Sequence, residues 1–419
     1  MEYSGYQRNF DRTVFAIFIA LVLIGMASIF SAEYNPNSEQ LFSWDSAFGK
    51  QLMWLAGCIV IFAIISIIDV RIFINLSYVI YAATLLLLVV TLALGHTISG
   101  SKSWLILGGF SMQPAELAKF GTALALARFL DSSNVNLANK RDLFVATLII
   151  LIPLGLILLQ RDFGSALVFV SFILVLYREG LPGWVIFLPL AAAVLFIITL
   201  IAGTLYTSIG LTVIALFFYL FSFDKRKALW LTLVALLTGI LITFSVNYVF
   251  DHVLLPHQQS RINVLIGKEI DLKGSGYNVH QSLIAIGSGG VLGKGYLNGT
   301  QTKLNFIPEQ STDFIFCTIG EEFGLLGGLT IILLFTGLIL RILSISENHK
   351  LRFTRLYGYG ILSVLLIHFT INIGMTLGIL PVIGIPLPFI SRGGTSLLSF
   401  TMMIAVFLNL EREYRHYFK

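Results

Sequence analysis

The chain has 419 residues, 57% of them hydrophobic and 12% charged, with two cysteines and a formal net charge of +5. A soluble chain of this length carries about twice that charged fraction, and a mean hydropathy of +0.88 excludes an ordinary soluble enzyme. The basic excess does not point to nucleic acid, because Lys and Arg stand singly or in short clusters between apolar runs rather than along one polar face.

The apolar runs are long enough to cross a hydrocarbon core as helices, which takes about 20 residues each. In lipid the backbone must satisfy its own hydrogen bonds, so the runs read as helices. The first, 14–30, follows a polar start and lacks a small-residue cleavage site, so it reads as a span and not a leader. About twelve spans are expected: 13–32, 50–69, 72–94, 115–131, 143–159, 163–178, 183–203, 207–223, 228–250, 313–341, 356–379 and 387–410. The expected fold is an all-α polytopic bundle, a single membrane domain over 1–419 with one large external loop, 251–312.

Orientation follows from Lys and Arg. With the N-terminus inside, cytoplasmic segments hold Arg8, Arg12, Arg71, Arg128, Lys140, Arg141, Arg178, Lys225, Arg226, Lys227, Lys350, Arg352, Arg355, Arg412, Arg415 and Lys419. The short external loops hold only Lys50, Lys102, Arg161 and Arg392. Both termini are therefore expected in the cytoplasm of a multi-pass plasma-membrane protein.

In chain order, the first external loop carries Lys102-Ser-Trp104. Trp104 reads either as an interfacial anchor or as a platform for a sugar or lipid head. Pro114 suits the first position of the next helix. On that helix Glu116 and Lys119 stand three apart and share a face. They read either as a neutralised pair or as a positive charge held at fixed depth to meet a phosphate. Gln160-Arg161-Asp162 splits two short spans. Cys58 and Cys317 lie inside apolar runs and read as packing residues, and the seven scattered histidines suggest no metal cluster.

The loop 251–312 is not low-complexity; with its amphipathic run 279–286 it is expected to be ordered and re-entrant. Its run Gly287-Ser-Gly-Gly-Val-Leu-Gly293-Lys-Gly295 fails the nucleotide-loop pattern and reads as a tight turn. Glu309 and Asp313 follow at the external mouth of a span. Ser311 or Thr312 is expected to cap that helix, placing Asp313 in its first turn. Asp313 then either assists the cap or takes a proton from a substrate hydroxyl. Glu321 and Glu322, two turns deeper, read as structural. Pro381, Pro386 and Pro388, with Gly384, Ser391, Arg392, Gly393 and Gly394, break the chain between the last two spans. Irregular backbone at membrane depth lines a cleft or is buried in protein. Arg392 there is a candidate anion contact.

Together the ordered motifs resemble the SEDS family (shape, elongation, division and sporulation), over most of the chain. The resemblance rests on Lys102-Ser-Trp104, Gln113-Pro-Ala-Glu116-Leu-Ala-Lys119, Gln160-Arg-Asp162-Phe-Gly164 and Gly276-Tyr-Asn-Val-His-Gln281-Ser. It continues through Pro308-Glu-Gln-Ser-Thr-Asp313-Phe-Ile-Phe, Glu321-Glu322-Phe-Gly324 and Asn372-Ile-Gly-Met375, the last similar to the RodA branch. It implies a peptidoglycan glycosyltransferase that joins lipid II into glycan strands at the outer face of the plasma membrane during cell elongation. It implies a class B penicillin-binding protein, a transpeptidase, as partner, alongside other elongation-complex membrane proteins. It carries the key acid to Asp313, the external tryptophan to Trp104 and the membrane ion pair to Glu116 and Lys119. Three positions depart from the family's pattern: Ser103 stands where a basic residue is common, Ser311 where His is usual, and Arg392 where Tyr is usual. The family has about ten spans, so 183–250 is expected to add two.

On this reading Asp313 is the general base on the acceptor's 4-hydroxyl and the reaction inverts the donor's anomeric centre. Lys119, Arg261 and Lys102, or a divalent cation such as Mg or Mn, are expected to meet the leaving pyrophosphate. Glu309 and Ser391 are further substrate contacts. A lipid II flippase, another transporter and a non-catalytic scaffold are the alternatives; a carrier needs gates on both faces, whereas here the polar breakers gather on one.

Overall fold

The computed structural model describes residues 10–34, 46–98, 100–107, 110–254, 256–267, 275–304 and 306–418. Arg8 and Lys419 of the basic set, and residues 255, 268–274 and 305 of the long loop, lie outside the described residues. The helices are α1 (Arg12–Glu33), α2 (Ala47–Ile67), α3 (Val70–Asn75), α4 (Ser77–Leu94), α5 (Pro114–Asp131), α6 (Lys140–Leu159), α7 (Phe163–Val170) and α8 (Ile173–Arg178). They continue as α9 (Trp184–Ala202), α10 (Thr204–Phe221), α11 (Lys225–Tyr248), α12 (Pro256–Leu265), α13 (Ser275–Gly289) and α14 (Thr300–Lys303). The last are α15 (Ile315–Asn348), α16 (Arg352–Thr376) and α17 (Gly394–Phe418).

Ten helices among the described residues are long and apolar enough to cross a membrane: α1, α2, α4, α6, α9, α10, α11 with its extension, α15, α16 and α17. Against the twelve expected, ten helices among the described residues are of this kind, and two spans added to a ten-span core find no support. The two that drop out have physical reasons. The run 163–178 breaks at Ser171 and Phe172 into α7 and α8. Helix α5 carries Glu116, Lys119, Arg128 and Asp131, and most of its residues are buried. Surrounded by protein, it needs no apolar outer face; its alanines let α4, α16 and α17 pack closely.

A three-stranded antiparallel sheet between α4 and α5 departs from the all-α expectation: β1 (His96–Ile98), β2 (Ser101–Leu107) and β3 (Phe110–Met112). Trp104 pairs with His96, and Leu105 with Met112. The chain packs as two compact units. One comprises Met1–Gly180 and Asn278–Lys419; the other is Leu181–Tyr277. In the second unit α9, α10 and α11 pack pairwise. In the first, α16 and α17 are the most buried spans and form its centre with α5.

Helix α15 is broken at Gly324, which has φ 64° and ψ −156°. The glycine-rich loop after α13 supplies partners at the break. Lys294 N–H donates to the Glu321 carbonyl (3.0 Å) and Gly295 N–H to the Glu322 carbonyl (2.9 Å). Leu325 N–H donates in return to the Gly290 carbonyl (2.9 Å) and Leu326 N–H to that of Val291 (3.2 Å). The loop is therefore ordered and folded back onto the span. At Gly293, with φ 81°, a Cβ would overlap the Glu322 carbonyl. Gly293→Ala is expected to cost about 2 kcal/mol or more, read as a lower Tm of the detergent-purified protein. The same change at Gly287, which has open space around it, is expected to leave Tm unchanged; equal Tm for both variants would contradict this account of the loop.

Candidate active site

The segment before α15 turns on its own backbone. Phe314 N–H donates to the Glu309 carbonyl (3.1 Å) and Thr312 N–H to the same oxygen (3.2 Å). The cap of α15 is Phe314, which makes no side-chain capping bond. Asp313 therefore lies ahead of the helix and not in its first turn, and Ser311 and Thr312 serve other partners than the expected cap. Glu309 is exposed, and its Oε2 accepts from the Thr312 hydroxyl at 2.7 Å.

The broken segment between α16 and α17 clasps this turn. The Ser391 hydroxyl donates to the Thr312 carbonyl at 2.6 Å and accepts from Leu387 N–H at 2.8 Å. Arg392 N–H donates to the Ser311 carbonyl at 2.8 Å. Phe389 sits at φ 67°, where bulky residues are outliers. Its ring is packed against Phe18, Phe335 and Phe400, and this packing holds the turn that presents Ser391 and Arg392. Asn372 of α16 closes the clasp: its amide donates to the Asp313 carbonyl and to the Ile385 carbonyl, both at 2.8 Å. The half-buried Asp313 side chain lies over Gly384, where a Cβ would come within 3.2 Å of Oδ2.

Behind Gly384 is a cavity of about 20 Å³ lined by Gln113, Glu116, Ser165, Val168, His368, Gly384, Ile385 and Pro386. That is room for a water molecule. Lys119 lies next to it, fully buried, donating to Glu116 Oε1 at 2.7 Å and to His368 Nε2 at 2.8 Å. The other ring nitrogen of His368 lies 3.0 Å from the Pro386 carbonyl. A carbonyl only accepts, so Nδ1 carries the proton and Nε2 receives the Lys119 bond. Glu116 Oε2 is buried with no partner among the described residues. Gln113 bonds Asp162 Oδ2 at 2.8 Å, and Asp162 caps α7 through Ser165 N–H at 3.0 Å.

The other sequence-derived candidates are placed as follows. Trp104 is half-buried on β2. Lys102 donates its Nζ to the Ala93 carbonyl at 3.0 Å, and its N–H to the Gln160 carbonyl at 2.9 Å. Arg261 is on α12, in the unit Leu181–Tyr277. Glu321 is a clamp: Thr300, Gln301 and Thr302 N–H groups bond its carboxylate at 2.8–3.0 Å, with Lys294 Nζ at 2.7 Å. Glu322 accepts from the Ser31 hydroxyl and from Leu297 N–H at 3.1 Å. Lys303 stacks 4.2 Å over Tyr34; burial holds its pKa below the ordinary lysine value while Glu322 pulls it up. No group of three or more His, Cys, Asp or Glu able to hold a metal occurs among the described residues.

Sequence reading left His368 and Asn372 without a role and did not see Glu33 beside Arg392. His368 and Asn372 point to partners 249 and 59 residues away, and no local spacing signals such contacts.

Fold and site define a polytopic membrane protein in which the turn carrying Asp313 is clasped by the irregular segment between α16 and α17. The family model described as "Cell cycle protein" (FTSW_RODA_SPOVE) matches residues 11–209 and 189–416. The peptidoglycan glycosyltransferase RodA of Treponema pallidum (strain Nichols) is 33% identical over 423 residues, 95% of this chain and 96% of that protein. The peptidoglycan glycosyltransferase MrdB of Escherichia coli K12 is 32% identical over 391 residues, 93% of this chain and 90% of that one. A chain solved in a study of "polymerization and crosslinking by a peptidoglycan synthase complex" aligns with a TM-score of 0.70 at 25% identity, covering 98% and 99% of the two chains. RodA of Thermus thermophilus shares the fold, with a TM-score of 0.62, 24% identity and 97% coverage of each chain. The chain belongs to the FtsW, RodA and SpoVE family, the SEDS family of cell-wall synthesis proteins.

Proposed function

We propose that this protein is a peptidoglycan glycosyltransferase that polymerises lipid II into glycan strands during cell elongation, with inversion at the donor sugar. The observation that carries the mechanism is Asp313, half-buried over Gly384 and ahead of the α15 cap. The acceptor's 4-hydroxyl oxygen attacks the donor's anomeric carbon and its proton passes to the Asp313 carboxylate. The bond to undecaprenyl pyrophosphate breaks, and that group leaves with the electron pair. Asn372 and Ser391 hold the backbone of the base, so that the carboxylate meets the acceptor without reorganising. Trp104, Lys102 and Glu309 are further contacts for the sugars and the headgroup. Lys119 and Glu116 set the charge beneath the cleft wall.

The basic residues on one set of loops support cytoplasmic termini and an external site. A crosslinking transpeptidase of the class B penicillin-binding type is the partner, a reading supported by the peptidoglycan synthase complex in which the similar chain was solved.

The test separates transferase from carrier and scaffold. Purified protein is reconstituted in vesicles with fluorescent lipid II and its transpeptidase. Glycan strands resolved on a gel are expected, without net movement of lipid II between leaflets. Translocation without strands would replace the proposal with the flippase reading. Neither result, with the partner bound, would leave the scaffold.

A further inference from the structure

We propose that Arg392 is an anion-binding residue that receives the donor pyrophosphate, and that Ser311 is small in order to seat it. The inference rests on the glycosyl transfer proposed above. It starts from two residues of the irregular segments around Asp313, Ser311 and Arg392. The two positions are 81 residues apart, and the structure sets them against each other: a guanidinium nitrogen, Nη1, lies 3.4 Å from the Ser311 hydroxyl. Arg392 N–H donates to the Ser311 carbonyl at 2.8 Å. An imidazole at 311 would occupy space beside the guanidinium, so a small residue there leaves room for the long cation.

The charge is placed to be used. Its backbone is held by the turn around Phe389 and by Ser391, whose hydroxyl grips Thr312, the residue before Asp313. Its side chain remains 41% exposed and pairs with Glu33 Oε1 at 2.9 Å, with Glu33 itself 28% exposed. Among the described residues its partners are all taken through Nη1. Two of the other cations expected to meet the leaving group are less suited. Lys119 is fully buried between Glu116 and His368, and Lys102 is turned to the Ala93 carbonyl. A pyrophosphate offers forked oxygens and more charge than one carboxylate, and it displaces Glu33 from a guanidinium that binds such groups bidentately.

The test measures KM and kcat for fluorescent lipid II, inhibition by inorganic pyrophosphate, and the Tm shift caused by pyrophosphate. It compares wild type, Arg392→Leu, Arg392→Lys, Glu33→Gln, Ser311→His, Arg392→Tyr and the double variant Ser311→His/Arg392→Tyr. Arg392→Leu is expected to weaken pyrophosphate inhibition about 10- to 100-fold and raise KM, with Arg392→Lys between it and wild type. Glu33→Gln removes the competitor and is expected to strengthen inhibition about 2- to 5-fold, a gain that misfolding does not produce. The double variant, in which an imidazole no longer meets a guanidinium, is expected to be more active than Ser311→His alone. Unchanged pyrophosphate inhibition in Arg392→Leu, or weaker inhibition in Glu33→Gln, overturns the assignment. A wild type that makes no strands but shows an Arg392-dependent pyrophosphate Tm shift removes the transferase reading and keeps the anion site.

Discussion

Asp313→Asn is expected to lower the initial rate of strand synthesis by about 100- to 10,000-fold, the range a positioned general base contributes. The substitution keeps the side chain's shape and removes its ability to take a proton. Two of the contacts that place residue 313 are made by backbone: its carbonyl is held by Asn372 at 2.8 Å, and the carbonyl of Thr312 by Ser391. Tm should therefore stay within about a degree or two of wild type. The loss should fall on kcat with KM little changed, as expected for an interaction made in the transition state. Asp313→Glu moves the carboxylate by a methylene against Gly384 and should retain only part of the rate. An Asn variant with an unaltered kcat would remove the base from the mechanism.

The second large effect is on stability. Lys119→Met is expected to destabilise the protein by about 3–5 kcal/mol, because it leaves the Glu116 carboxylate buried without its cation. The side chains of the pair are 1% and 3% exposed, and Glu116 Oε2 already lacks a partner among the described residues. Glu116→Leu/Lys119→Met removes both charges and should recover most of the Tm. It should not recover strand synthesis, since His368 loses the ammonium it accepts from while it holds the Pro386 carbonyl of the cleft wall. A double variant that is both stable and fully active would make the pair purely structural.

These two sites show how far the sequence could be read. The pairing of Glu116 with Lys119 follows from their spacing on a helix, and the cleft's second wall follows from prolines and glycines that no helix tolerates in such density. Asp313 is legible as a carboxylate at a span's mouth, yet its place ahead of the Phe314 cap is set by Glu309 and Ser391 and emerges only on folding. The third member of the buried cluster, His368, comes from a helix 249 residues on. The small sheet escaped notice because two of its strands are three residues long, too short for alternation to register. Helix α5, expected as a span, is not among the ten long apolar helices, because apolar length measures contact with lipid and α5 is enclosed by protein. The Gly287–Gly295 run, expected as a tight turn, ends helix α13 before it turns, and at Gly289 and Gly293 the broken helix α15 leaves no room for a Cβ.

The most direct measurement of the central claim is a gel of glycan strands made from fluorescent lipid II by purified protein bound to its transpeptidase, with wild type and Asp313→Asn side by side. Strands from wild type and none from the variant, at equal Tm and equal partner binding, are the result expected for a polymerase whose base is Asp313. Strands of equal length and amount from both would contradict it.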